Sequence, residues 1–411
     1  MKQGFLSDFF VGVGAKRVSA HEVDPAVSRG HEFQDVKAFR HFLGEPGERR
    51  KIPATYLWID EDEQVDQVDA TATWYDSRRG QTHRESEGRF YYPAAVESVV
   101  HRAADGDVLF VALRRDGSLL FILCPSDSSA RGQLEWLFNI AIEGGDFSTT
   151  EITPTGRFEV GFTARYVLDL IGVVFEETDD ALLQSLTKAF GQNFPTTGSF
   201  SSHARKLAPA VDTLTDPDHA LITWMDFEER LFRIFERHIL ASRLREGFAG
   251  GATIDIDAFM SLSLSAHQRR KSRAGFALEN HLEFLFARSG LSFDRGATTE
   301  GKKRPDFLFP SGVAYRDISF PANALTLLGA KSTCKDRWRQ VLSEGARVDQ
   351  KHLLTLEPSI SSAQTDEMQA ANLRLVLPRT IHETYSEAQR HWLLSVTDFI
   401  DLVRRRAADP A

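Results

Sequence analysis

Thr299-Glu-Gly-Lys-Lys-Arg-Pro-Asp-Phe-Leu-Phe-Pro-Ser311 and, further along, Leu327-Leu-Gly-Ala-Lys331 are the stretches on which the reading of this chain turns. In the first, a basic run ends in Pro305-Asp306 and opens a short apolar strand; in the second, another apolar strand closes on Lys331. An acid and a lysine at the ends of adjacent strands can converge. Thirteen residues beyond Lys331, on what reads as the next helix, stands Glu344; upstream, on the helical stretch Ala274 to Arg288, stand Glu279 and Glu283. Several carboxylates and one ammonium suit phosphodiester hydrolysis. Carboxylate oxygens hold Mg2+, and a lysine orients the attacking water or offsets developing charge.

The surroundings favour a polyanionic substrate. The net charge is -9, yet the charge is uneven. Asp60 to Asp69 holds six acids in ten residues, whereas Arg269 to Arg304 holds nine Lys or Arg against four acids. Such a basic stripe offers phosphate contacts inside an otherwise acidic protein. With 411 residues, two or three domains are expected, and 42% hydrophobic with 26% charged residues is ordinary globular composition. Apolar runs such as Val108 to Leu113 fall far short of the roughly 20 residues a membrane helix needs. The amino terminus, interrupted by Asp8, reads as part of the fold rather than a secretory signal. Only Cys124 and Cys334 occur, without metal or dithiol spacing, which fits a reducing cytoplasm. Gly12-Val13-Gly14 lacks a third glycine and reads as a bend, not a nucleotide fingerprint.

The first half reads as strands. Asp69 to Tyr75 alternates, and Asp107 to Arg115 with Ser118 to Cys124 flank Asp116-Gly117, which predicts a hairpin on a type I′ turn. Gln133 to Ile140 predicts a short helix and Arg157 to Thr163 a further strand. The whole suggests a mostly β, barrel-like domain over 1–175. The Pro, Gly and Ser content of Phe194 to Ser202 predicts a linker, placed at 176–200. Over 201–411, helices opened by Asp216-Pro217-Asp218 and covering Ala274 to Arg288 precede strands at Asp306 to Phe309, Leu325 to Ser332, His352 to Leu356 and Leu373 to Leu377. Helices at Lys335 to Arg347 and Ser386 to Arg406 complete the rhythm of an α/β sheet.

Arg269-Arg-Lys-Ser-Arg-Ala-Gly275, the Thr299–Ser311 run and Lys331-Ser-Thr-Cys-Lys-Asp-Arg-Trp-Arg-Gln340 resemble the EcoRII-like type II restriction endonucleases of the PD-(D/E)xK superfamily. Weaker similarity around Ala15-Lys-Arg-Val-Ser-Ala-His21 and Gly30-His31 resembles the family's amino-terminal, B3-like effector-binding domain. The resemblance implies a homodimeric, Mg2+-dependent enzyme that cleaves DNA at CCWGG-like sites, leaving a 5′-phosphate and a 3′-hydroxyl. It further implies that the effector domain blocks cleavage until a second DNA copy binds, and that the host carries a cognate DNA methyltransferase. Residue by residue, Asp306 matches the acid of the Pro-Asp motif, Lys331 the catalytic lysine, Glu344 the following acid and Glu279 the helix acid. Asp306, Glu344 and Glu279 would hold the metal. The wider pattern puts an acid two residues before the lysine, where this chain has Gly329; in this subgroup the acid comes from the position of Glu344.

Arg269, Arg270, Lys271 and Arg273 would contact phosphates, and Lys335, Asp336, Arg337 and Arg339 would read bases. Arginine forks onto guanine and aspartate accepts from cytosine, as a C·G pair requires. Lys16, Arg17, His31, Arg78, Arg79, His83 and Arg84 are candidates for effector DNA, although Asp76 to Arg89 departs from the family's basic segment by including Glu85 and Glu87. Plainer readings exist. Asp306 alone could cap a turn, Glu279 and Glu283 could share a solvated helix face, the 269–273 run could be a solvated lead-in, and Asp336 with Arg337 could be a surface ion pair. A non-cleaving DNA-binding regulator is the rival function, and a structure-directed repair nuclease a third.

Overall fold

The computed structural model describes residues 5–408 apart from 29, 35–38, 62–63, 82, 143–146, 152–160, 174–178, 251–252 and 335–336. The chain divides into two units, Met1–Phe175 with Pro358–Thr365, and Glu176–Glu357 with Asp366–Ala411.

The first unit is a curled eight-stranded sheet. Its strands are β1 (Phe10–Arg17), β2 (Glu32–Phe33), β3 (Arg50–Ile59), β4 (Val65–Asp76), β5 (Gly88–Tyr91), β6 (Val108–Arg114), β7 (Leu119–Cys124) and β8 (Phe147–Glu151), in the order β2-β5-β4-β3-β7-β6-β1-β8. All neighbours are antiparallel except β3 and β7. The uninterrupted apolar runs of β6 and β7 follow from burial of both faces: Phe110, Ala112, Leu120 and Ile122 enter one core, and Leu109, Val111, Phe121 and Leu123 the other. Helix Ser129–Phe138 covers the first core, beginning four residues before its predicted start because Ser128 caps it by accepting from Arg131 N.

Three local expectations change in this unit. The β6–β7 hairpin forms, but as a three-residue loop in which Gly117 alone turns left-handed (φ 84°) and donates to Arg114 O at 3.0 Å, rather than a type I′ turn. Gly12-Val13-Gly14 is strand, not bend; a Cβ on Gly12 would sit 2.6 Å from Phe42 Cβ, so close packing explains the glycine. The strand expected at Arg157 to Thr163 lies outside the described residues up to 160, and Phe162 and Thr163 begin a helix, Phe162–Leu170, which buries Ala164, Val167 and Leu168.

In the second unit the expected linker is helical. Asp180–Phe190 and Thr197–Leu207 bury Leu186, Phe200 and Ala204 against Leu231, Phe232 and Phe235. The Pro-Thr-Thr-Gly-Ser stretch is a helix start, with Thr196 accepting from Ser199 N. Two long helices follow, α1 (Pro217–Glu246), capped by Asp216, and α2 (Ile256–Arg288), capped by Asp255. Between them lies a small hairpin of β9 (Ala249–Gly250) and β10 (Thr253–Ile254). The five-stranded sheet of this unit has the order β11 (Asp294–Arg295), β12 (Phe307–Phe309), β13 (Thr326–Lys331), β14 (Lys351–Thr355) and β15 (Leu373–Val376), antiparallel up to β13 and parallel beyond it. This is the α/β arrangement the sequence predicts. The helix expected over Lys335 to Arg347 is only α3 (Trp338–Leu342), and that over Ser386 to Arg406 is two, Glu387–Arg390 and Val396–Ala408. No helix among the described residues is long and apolar enough to cross a membrane.

Candidate active site

Strand pairing creates the central contact. Asp306 immediately precedes β12, and Lys331 ends its antiparallel neighbour β13, so the two side chains meet at one end of the sheet. Asp306 Oδ2 accepts from Lys331 Nζ at 2.6 Å and from Ala330 N at 2.7 Å. Their side chains are 16% and 19% exposed, a partly dry pair that solvent still reaches. Charge-assisted bonds of this kind are stronger than neutral ones and fix geometry.

Two further carboxyls lie within electrostatic reach. Glu344 sits on the turn after α3, where its N–H donates to Val341 O at 3.1 Å. Burial, reinforced by the Asp306 charge, raises its pKa against the opposing pull of Lys331, Lys303 and Lys351. Glu279, on α2, is raised for the same first reason, burial; Asp306 adds to the rise while Arg295 and Lys331 oppose it. Ionising either carboxyl therefore costs more than it would in water, and for Glu279 Arg295 offsets only part of that cost. Lys303 Nζ donates to Ser343 O at 2.9 Å and so braces the turn beside Glu344.

Gly329 explains where the acid went. A Cβ there would lie 2.6 Å from Val341 Cγ2, so the position two before the lysine is filled by α3. Glu344 stands on the turn that follows this helix. The described residues contain no ready-made cluster of three metal-ligating side chains. Asp306 with Glu344 nonetheless suits Mg2+, a hard ion that takes one or two carboxylates and keeps waters or phosphate oxygens for its remaining positions.

Sequence reasoning missed Arg295, counting it only as part of the basic stripe. It forks from β11 onto Glu279 Oε2 and Glu283 Oε2, each at 2.7 Å, and onto Asn280 Oδ1 at 2.9 Å. The signal was the pair of glutamates four residues apart, which on one helix face calls for a cation between them.

Residues 232–400 match the family model described as EcoRII C terminal. Apart from Pro358–Thr365, the match lies within the second unit. The chain is 45% identical over 191 residues to the type II restriction enzyme EcoRII of Escherichia coli, covering 46% of each protein. It is also 33% identical over 125 residues to the type II restriction enzyme SsoII of Shigella sonnei, covering 28% of this chain and 40% of that one. The chain thus spans under half the length of these curated relatives. Among solved structures, metal-depleted Ecl18kI in complex with uncleaved, modified DNA aligns at 21% identity over 57% of this chain and 86% of that one, with a TM-score of 0.45.

Two members of the basic run 269–273 pair with acids of α1. Arg273 is buried (7% exposed), donating to Glu229 at 2.7 Å and lying 3.9 Å over the Phe232 ring, and Arg270 donates to Glu236 at 2.6 Å. The Arg273 guanidinium neutralises buried acids of α1 and is closed to a phosphate, whereas Arg270, its side chain 41% exposed, remains a candidate. Arg269 packs over Phe194 at 4.4 Å, and the Lys271 side chain lies outside the described residues. Of the readout candidates, Lys335 and Asp336 lie outside the described residues; Arg337 is exposed and donates to Thr333 O at 2.9 Å, and Arg339 pairs with Glu367 at 2.8 Å.

In the first unit Lys16 is corrected as well. It is 3% exposed and donates to Glu22 Oε1 and Gln34 O, each at 2.6 Å, a buried pair that ties β1 to the following turn. Arg17 donates to Gly106 O at 2.8 Å, and His31 stacks on Tyr92 and meets Glu97 at 3.0 Å. Arg78 pairs with Glu87 at 3.0 Å and Arg79 with Glu48 at 2.6 Å, while His83 and Arg84 are exposed on the same β4–β5 connection.

Proposed function

We propose that this protein is a type II restriction endonuclease that hydrolyses double-stranded DNA at CCWGG-like sites with Mg2+ as cofactor. The observation that carries the reading is the Lys331–Asp306 ion pair, with Glu344 and Glu279 in electrostatic reach, inside the EcoRII-type domain. Asp306 and Glu344 would hold the ion, with Glu279 beside them. When bound, Mg2+ would polarise the scissile phosphate and offset the charge that builds on it. Lys331, held by Asp306, orients the water for attack in line with the leaving 3′ oxygen. The phosphorus–3′ oxygen bond breaks, the water's hydroxyl stays on phosphorus as a 5′-phosphate, and the 3′ oxygen takes up a proton. Arg337 and Arg339, with Lys335 and Asp336, are the candidates for reading the C·G pairs.

The resemblance of the first unit supports an effector-binding role that holds cleavage back until a second DNA copy is engaged. Arg17, His31, Arg78, Arg79, His83 and Arg84 are its contact candidates. A homodimer matches the near-palindromic site, a cognate methyltransferase would protect the host DNA, and the work would be done in the cytoplasm.

The test is incubation of the full chain with DNA carrying several CCWGG sites, in Mg2+ or EDTA, followed by sequencing of the ends. Discrete Mg2+-dependent cuts, lost in Asp306→Ala and Lys331→Ala, are expected. Tight binding without cuts in Mg2+ would establish the regulator instead. Cleavage of single-site DNA should rise when a short CCWGG duplex is added; no rise would remove the effector role.

A further inference from the structure

Arg295 is the cation already present beside the acids. Strand β11 pairs Arg295 with Phe307, next to Asp306, which brings the guanidinium up against α2. There it makes three hydrogen bonds, to Glu279, Glu283 and Asn280. Asn280 is itself held: it is 8% exposed, its Nδ2 donates to Ser201 Oγ at 3.1 Å, and its backbone carbonyl accepts from Arg205 at 3.3 Å. The fork therefore has a fixed seat rather than a loose surface partner.

We propose that Arg295 competes with the divalent ion for Glu279 and so sets the metal concentration at which the site fills. This rests on the endonuclease reading given above. A guanidinium at 2.7 Å engages Glu279 Oε2, one of the two oxygens a metal would use. It also places a unit positive charge where a second cation is repelled, an interaction of considerable strength at the effective dielectric of partly buried sites. Asp306 and Glu344 are left as the immediate ligands, and Glu279 becomes available only when Arg295 lets go.

The test measures Mn2+ binding to the full chain without DNA, by calorimetric titration, alongside the Mg2+ dependence of cleavage. Arg295→Gln should lower the half-saturating Mn2+ concentration by about ten-fold or more, and the Mg2+ optimum of cleavage should fall with it. Arg295→Lys keeps the charge and should stay near the parent protein, which separates charge from packing. Unchanged or weaker Mn2+ binding in Arg295→Gln, with binding abolished in Asp306→Asn, would overturn the proposal while leaving the site intact. Unchanged binding in Asp306→Asn would instead sink the site reading. Should Arg295→Gln fail to fold, Asn280→Ala decides: loosening the seat of the guanidinium without changing the charge should lower the half-saturating Mn2+ concentration by about two-fold or more, and an unchanged value would refute the proposal.

Discussion

Placing a methyl group on Gly329 tests the geometry of the site more severely than deleting any ligand. The new Cβ would stand 2.6 Å from Val341 Cγ2, 3.3 Å from its Cγ1 and 3.5 Å from Leu353 Cδ1. Carbon atoms pack best at about 3.5–4.0 Å, so roughly an ångström must be found by moving α3 outward. Overpacking of this kind costs about 1–3 kcal/mol. At about 2–4 °C per kcal/mol for a domain of this size, Gly329→Ala should lower Tm by about 2–12 °C. Because Glu344 N is bonded to Val341 O, the acid moves with the helix. A misplacement of about 1 Å can cost roughly 100-fold in rate, so cleavage well below Tm should fall far more than stability does. Thermal unfolding followed by circular dichroism and single-turnover cleavage at 25 °C are the two assays. Val341→Ala in the same chain vacates the contested space, so the double variant should be less destabilised than the sum of the singles. An unchanged Tm and rate in Gly329→Ala, or strict additivity, would refute the reasoning.

Other outcomes follow from the same geometry. Glu344 and Glu279 hold their protons more tightly folded than unfolded, so their contribution to stability is fullest below the ordinary carboxylate range and is lost as pH rises through the raised values. Glu344→Gln should flatten that dependence in metal-free urea unfolding between acid and neutral pH; an unaltered slope would contradict it. Lys16→Ala breaks a buried ion pair and should cost about 3–5 kcal/mol, seen in denaturant unfolding, with the salt dependence of DNA binding untouched. Arg337→Ala should lose about 1–3 kcal/mol of discrimination between CCWGG and singly substituted duplexes, measured by competitive binding, if it reads a base.

The second unit was legible because its signals are local and apolar. Short strands bounded by Asp306 and Lys331 can be neighbours in a sheet, and their convergence follows from the antiparallel pairing. Glu344 was found through resemblance and its distance along the chain, yet it lies on a turn, not on the helix periodicity suggested, because α3 stops at Leu342. The basic run misled for a physical reason. Charge in sequence does not say whether it faces solvent, and Arg273 turns inward because Glu228 and Glu229 of α1 are buried opposite it, while Arg270 stays exposed and only its tip reaches Glu236. Lys16 misled likewise: its partner Glu22 is close in sequence, but only burial of both decides that the pair is internal. The Pro-Gly-Ser stretch after Phe194 resembles a linker in composition, and what makes it a helix start is the Thr196 cap together with the apolar seat for Phe200.

Because Glu344 comes after α3 rather than from β13, the segment joining Lys331 to Glu344 carries both the proposed metal ligand and the readout candidates Lys335, Asp336, Arg337 and Arg339. Recognition and chemistry then share one short tether. If Arg337 reads a base as proposed, a wrong pair that denies it its seat would disturb the path to Glu344, and fidelity would be exercised at bond cleavage as well as at docking. Duplexes with one exchanged pair should lose more in single-turnover rate than in affinity, and equal losses in both would show the tether to be slack.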